Sequence, residues 1–180
     1  MAITQEYQQR RLNHLSRLIF IVVLFLLGCS SGKNSIKPAM PFASKAIHLS
    51  YRGDSQLNLY NDKPHALLVV IYQLDTVNGF AGLSKTEDGL LALLSGKPFD
   101  SSVMQVQPLF IEPGTKGNLD LDRVEKTAWV GIAAGYNSLM PNSATKFYMI
   151  PVKGSKQLPL SIDLIFSSNS IQDNPVIHEK

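Results

Sequence analysis

Ala66-Leu-Leu-Val-Val-Ile-Tyr-Gln-Leu74 decides the fold. It is a nearly continuous β-branched and aliphatic run, with Val69, Val70 and Ile71 at its centre, and it reads as a central strand rather than a helix. Just upstream, Asn61-Asp-Lys-Pro64 is a turn cluster. Before it, Ile47-His-Leu-Ser-Tyr51 and Gln56-Leu-Asn-Leu-Tyr60 alternate apolar and polar residues, as half-buried strands do. Downstream the period changes: Phe80, Leu83, Leu90, Leu91 and Leu94 recur at helical spacing, interrupted by Gly79, Gly82 and Gly89. Ser84-Lys-Thr-Glu87 fits a capping box and Gly96-Lys-Pro98 a stop, which predicts a short helix over about 86–95.

Strand signals then resume. Met104–Ile111 and Asn118-Leu-Asp-Leu-Asp122 flank Glu112-Pro-Gly-Thr115, a type II turn sequence, and are expected to form a hairpin. Thr127–Ala134, Phe147–Val152 and Leu158–Phe166 follow as further strands. Seven or eight strands with one short helical insertion predict a mainly β domain over 46–167, an antiparallel β-sandwich. The segment 168–180 is polar and is expected to fray.

The N-terminus has a different logic. Residues 1–17 are polar with a small positive excess, and ten apolar residues, Leu18–Leu27, precede Gly28-Cys29-Ser30-Ser31-Gly32. That is the layout of a secretory signal peptide over 1–28, and the apolar stretch is about half of the roughly twenty residues a spanning helix needs. Leu26-Leu27-Gly28-Cys29 resembles the bacterial lipobox, and Cys29 is the chain's sole cysteine, with no internal disulfide partner. Cys29 is therefore expected to carry diacylglycerol and an N-acyl chain, the only modification foreseen beside no cofactor at all; two or three acyl chains hold a protein on a membrane where one does not. Ser30 after the cysteine resembles the outer-membrane sorting pattern, which implies the periplasmic face of that membrane. Residues 29–45 are rich in Ser, Gly, Pro and Lys and read as a flexible tether.

Seventeen Lys and Arg stand against fourteen Asp and Glu in the whole chain. Removal of 1–28 takes Arg10, Arg11, Arg17 and Glu6 with it and leaves a net charge of about +1. A nearly neutral body without a dense basic run lacks the footprint for nucleic acid. Catalytic signatures are missing too: the chain has no Gly-x-Ser-x-Gly elbow, no phosphate loop and no His-Glu-x-x-His. His48, His65 and His178 are isolated in sequence, and no metal site is read from them. Asp120 and Asp122 point the same way on a strand, which could suit a cation, but the plainer reading makes them the solvent side of a strand whose Leu119 and Leu121 face the core. Trp129, inside an apolar run, reads as a core anchor.

Taken in order, Leu57-Asn58 before a polar loop and a Pro, Val69–Leu74, Phe80 opening a helical segment, Pro113-Gly114, Trp129-Val-Gly131 through Ala134, and Ile150-Pro-Val152 resemble the type VI secretion lipoproteins of the TssJ (VasD, SciN) family. There are departures: Leu59 stands where Pro is common, Tyr136-Asn137 replaces an aromatic-Arg pair, and Lys146-Phe147 a late Trp-Arg pair. The resemblance implies a transthyretin-like sandwich, no catalysis, and an outer-membrane anchor that binds the periplasmic C-terminal region of the inner-membrane protein TssM. It further implies that the loop between the first two strands makes the contact, here Asn58, Leu59, Tyr60, Asn61, Asp62, Lys63, Pro64 and His65. Without the resemblance the same stretch reads as a solvated turn. A second expectation is a lipoprotein that holds a lipid or small apolar ligand between its sheets.

Overall fold

A computed structural model describes residues 40–174. The expected signal peptide 1–28, Cys29 with its expected lipid, the expected tether as far as residue 39, and residues 175–180 with His178 lie outside the described residues, whereas 43–45, expected as the end of the tether, already belong to the first strand. In chain order the elements are β1 (Ala43–Gly53), β2 (Leu67–Leu74), α1 (Asn78–Leu83), α2 (Glu87–Leu94), β3 (Val103–Ile111), β4 (Lys116–Arg123), β5 (Trp129–Ala134), β6 (Thr145–Met149), β7 (Val152–Lys153), β8 (Lys156–Gln157), β9 (Leu160–Phe166) and β10 (Ile171–Asp173).

Two four-stranded sheets face each other, ordered β3-β2-β5-β6 and β10-β9-β1-β4. The opening run becomes β2, paired antiparallel with β3 on one side and β5 on the other. All of β2 except Leu68 is buried. The reason is that both its faces are covered: Val69 and Ile71 belong to the inter-sheet core, and Tyr72 meets the helical insertion, with its ring 5.9 Å from that of Phe80. Gly131, opposite Tyr72 on β5, makes room for this, because a Cβ there would come within 2.7 Å of the Phe80 ring. Burial pushes the Tyr72 hydroxyl up to about 12, and it donates to the Leu93 carbonyl at 2.5 Å, tying α2 down on the sheet.

The second sheet alternates, as a sheet with one wet face should. Ile47, Leu49, Ile162, Leu164 and Phe166 are buried. On the outer face the polar residues bond across the strands: His48 Nδ1 lies 2.8 Å from Asp120 Oδ1, and Ser50 Oγ donates to Asn118 Oδ1 at 2.8 Å. Asp120 and Asp122 are on this solvent side, as the plainer reading expected, with Leu119 and Leu121 packed against the core. Asp122 accepts from the Lys45 N–H at 2.8 Å and from Ser44 Oγ at 3.0 Å, bonds that hold its carboxyl below the usual range. One pairing departs from antiparallel: β1 and β9 run parallel.

Several local expectations are corrected. The hairpin of 104–122 does not form, because β3 stays beside β2 while β4 crosses to pair with β1. Alternation cannot distinguish the two arrangements, since both put the apolar residues toward one core. Gln56–Tyr60 is a turn, not a strand; Leu57 is fully buried, but Asn58 turns the chain with φ 48°. The helical segment is two helices. Thr86, not Ser84, caps α2 by accepting from the Gly89 N–H at 3.1 Å, and Ser84 Oγ donates back to the Phe80 carbonyl at 2.8 Å. Gly89 lets the helices abut, because a Cβ there would sit 2.1 Å from the Leu83 carbonyl oxygen. Trp129 is half-buried at the start of β5, its ring 6.1 Å from that of Phe147, while Tyr72, Phe80, Tyr136 and Phe166 fill the core. His48 is not isolated, since the fold brings Asp120 to it.

The tail does not fray where expected, for Ile171–Asp173 pairs with β9 and Ile171 is buried. Asp173 then closes the sandwich edge by accepting from Lys146 Nζ at 2.7 Å and Tyr148 Oη at 2.5 Å, both on β6 of the other sheet. The Lys146 bond first, then that of Tyr148, holds the Asp173 carboxyl below its ordinary 3.8. A carboxyl depressed on folding stabilises fully above its unfolded value and loses that contribution as pH falls toward its folded value. Thermal unfolding followed from about pH 6 to pH 2 should therefore show a melting temperature that drops below about pH 4, and Asp173→Asn should flatten the drop by a few degrees at most, since exposed ion pairs are worth roughly 1 kcal/mol or less.

Candidate partner-docking loop

The chain that leaves β1 at Gly53 is fixed before it reaches the loop. Asp54 N–H donates to the Phe166 carbonyl at 2.8 Å, and its carboxylate accepts from the Gln56 N–H at 2.9 Å and Ser55 Oγ at 3.2 Å. The Gln56 bond is the main cause that lowers the Asp54 carboxyl. Leu57, fully buried, then plugs this end of the sandwich.

Asn58 is the hinge of the arrangement. Its Nδ2 donates to the Ala66 carbonyl at 3.0 Å, which ties the two ends of the loop together. Its Oδ1 accepts from the Asn137 N–H at 2.7 Å, in the connection between β5 and β6. Its backbone N–H reaches the Ser167 carbonyl at 3.2 Å, and that of Leu59 reaches Ser168 at 3.1 Å, both beyond β9. Asn suits the position because it tolerates left-handed backbone and its amide both donates and accepts. With 8% exposure Asn58 has little surface left to offer a partner.

Beyond this base the loop is a miniature hairpin. Tyr60 and Lys63 exchange backbone bonds of 2.9 and 3.0 Å, and Asn61 and Asp62 between them have φ 48° and 58°. Two successive left-handed residues are the requirement of a type I′ turn, which explains an Asn-Asp pair at the tip. The His65 N–H bonds the Leu57 carbonyl at 3.0 Å, so the loop closes on its own plug. All residues from Leu59 to His65 are exposed. Tyr60 is half-exposed, with its ring 6.1 Å from the His65 ring and tilted by 58°. The fold thus brings seven of the eight sequence-predicted residues to one exposed tip and sets the eighth, Asn58, beneath them.

Sequence reasoning missed the loop's supports and one neighbour. Asn137, Ser167 and Ser168 hold the base through backbone groups, for which no side-chain signal exists. Tyr136, which departs from the pattern quoted above, is buried, and its hydroxyl donates to the Ser170 carbonyl at 2.7 Å. Met140, half-exposed, lies in the same β5–β6 connection as Asn137 and received no attention in the sequence. Among the described residues no three His, Asp or Glu side chains gather to hold a metal, and no helix is long and apolar enough to cross a membrane.

Comparison with known proteins places this geometry. Residues 45–165 match the family described as "Type VI secretion lipoprotein, VasD, EvfM, TssJ, VC_A0113". No curated protein sequence matches the chain. Among solved structures, the chain is similar to Lip of Serratia marcescens, described as a membrane-bound component of the type VI secretion system, at TM-score 0.61 and 15% identity over 73% of this chain and 98% of that one. It is similar to the lipoprotein TssJ1 of Pseudomonas aeruginosa at TM-score 0.55 and 14% identity, over 76% and 98% of the two chains. A third likeness, at TM-score 0.58 and 19% identity over 72% and 98%, is to a chain of the structure described as the TssM C-terminal domain (869-1107) from EAEC.

Loss of the Asn58 amide would leave the Asn137 N–H and the Ala66 carbonyl without their partner and put a Cβ-bearing residue without local bonding into left-handed backbone. Asn58→Ala should lower stability by about 2–3 kcal/mol, and Asn58→Gly should recover roughly 1 kcal/mol of that, as read from denaturant unfolding.

Proposed function

Since the chain belongs to the type VI secretion lipoprotein family, we propose that it is held by lipid on Cys29 in the inner leaflet of the outer membrane and there binds the periplasmic region of a TssM-like inner-membrane protein through the loop of residues 59–65. Its work is structural: it grips and does not catalyse.

The observation that carries this reading is the placement of the two ends of β1. The tether enters at Ala43, and the loop follows from Gly53 at the other end of the same eleven-residue strand. An extended strand advances about 3.3 Å per residue, so the loop stands roughly 30 Å from the point where the tether joins the domain. A protein moored at one end and gripping at the other has this layout. Docking is further favoured by the loop's preformed shape, which lowers the ordering cost of association. Tyr60 supplies an amphipathic anchor of the kind that dominates interface energetics. The likeness to a chain in the structure described by TssM supports the same partner.

The apolar-ligand reading gains no support from the described residues. Between the sheets, Ile47, Leu49, Val69, Ile71, Ile132 and Leu164 are packed as core. A cavity of about 330 Å³ is present, but it lies on the second sheet and, besides Tyr51 and Gly117, its lining is polar: Ser50, Arg52, Lys116, Asn118, Asp163 and Asn174.

Titration of the mature lipoprotein with the purified periplasmic region of TssM tests the loop. Tyr60→Ala should weaken binding tenfold or more, the effect of losing an anchor worth about 2 kcal/mol, while thermal stability stays as it was. An unchanged affinity would take the contact away from this loop.

A further inference from the structure

The opposite end of the sandwich carries a feature that partner binding at the loop does not use. After β6 the chain makes a two-stranded hairpin, β7–β8, in which Lys153 and Lys156 stand directly opposite one another. Both are exposed, and among the described residues neither has an ion-pair partner. Like charges opposed across two strands destabilise them, and an isolated two-stranded hairpin is marginal to begin with. Such a pair is at ease against an anionic surface.

The hairpin lies at the tether's end of the fold, and hydrogen bonds trace the connection. The Lys126 N–H donates to the carbonyl of Met40, the first described residue, at 2.7 Å. Two residues on, the Ala128 carbonyl accepts from the Ile150 N–H at 2.9 Å, and the Leu158 N–H closes the base of the hairpin on the Pro151 carbonyl at 2.8 Å. Large apolar side chains are bared at this end as well: Met149 is 61% exposed, Phe42 55% and Val152 38%. Of the carboxylates at the same end, Asp100 is turned onto Ser102 and Asp122 onto Ser44 and Lys45, while Glu125 stands exposed beside Lys126.

We infer that this end of the domain rests on an anionic phospholipid surface, with Lys153 and Lys156 at the headgroups and Met149, Val152 and Phe42 against the interface. Basic and apolar side chains mixed on one face are the chemistry of interfacial contact. The inference rests on the anchor reading above, which supplies the membrane and the length of chain that ends here. Cys29 and Met40 are eleven residue steps apart, a reach of at most roughly 40 Å, so the tether permits contact with the bilayer without enforcing it. The docking would fix the domain's orientation, with the loop of residues 59–65 pointed away from the membrane.

Trp129, the chain's one tryptophan, reports on it, since it pairs with Met149 across β5 and β6. The mature lipidated protein is reconstituted into vesicles of phosphatidylethanolamine with phosphatidylglycerol, or of phosphatidylcholine alone, each doped with a headgroup-nitroxide lipid, and Trp129 quenching is read after flotation. Quenching should be at least twofold stronger in the anionic vesicles, and should fall to the neutral-vesicle level in Lys153→Ser/Lys156→Ser and, for the unmodified protein, at high salt. The salt arm is independent of any effect of substitution on folding. Protein that floats with both vesicle types and is quenched equally in them overturns the docking and leaves the anchor standing. Protein that floats with neither overturns the anchor, and the docking falls with it.

Discussion

Everything in this molecule is referred to β1. It is the one strand of its sheet with a long partner on each side, antiparallel β4 and parallel β9, and its buried residues Ile47 and Leu49 are central to the inter-sheet core. Backbone bonded on both sides cannot shorten or bend without breaking ladder bonds, and a shift of one residue would turn Ile47 and Leu49 to water and His48 and Ser50 to the core. The separation between the tether's entry and the loop is thereby a property of the sheet rather than of any flexible segment.

The two ends of that strand solve opposite problems. At the loop end the proposed function calls for a contact surface that is ready before a partner arrives. Asn58 supplies this: its side chain joins the loop's own exit to the β5–β6 connection, and its backbone N–H holds the turn after β9. At the tether end the domain offers charge and apolar surface instead of a clamp. Between them Asp173 draws Lys146 and Tyr148 onto the last strand, so that the edges of the two sheets do not part.

How much of this could be read in advance follows from how local each signal is. The strand at 66–74 was legible because burial on both faces leaves an unbroken apolar run, and the wet face of β4 because Asp120 and Asp122 alternate with leucines. The course of the chain from β3 to β4 was not legible: strands on opposite sheets and strands in one hairpin present the same alternation to a single core. Gln56–Tyr60 misled for a related reason, since Leu57 is buried as a plug and Leu59 is exposed in a loop, and together they mimic a strand. Thr86 displaced Ser84 as the cap once Ser84 was needed to end the first helix. The loop's exposure and turn chemistry could be seen in Asn61-Asp-Lys-Pro64, but its assignment to a partner came from family resemblance, and its supports at Asn137, Ser167 and Ser168 act through backbone groups far away in sequence.

The central claim is a separation: lipid at one end of the sandwich, the gripping loop at the other. Energy transfer from a fluorophore on Asn61→Cys to headgroup-labelled lipids in vesicles bearing the mature protein measures it most directly, since the proposed acyl group on Cys29 leaves the new thiol as the one to be labelled. A fluorophore held roughly 30 Å or more from the headgroups agrees with the strand length that sets the distance. One found within about 10 Å of them would mean that the loop faces the membrane rather than a partner across the periplasm.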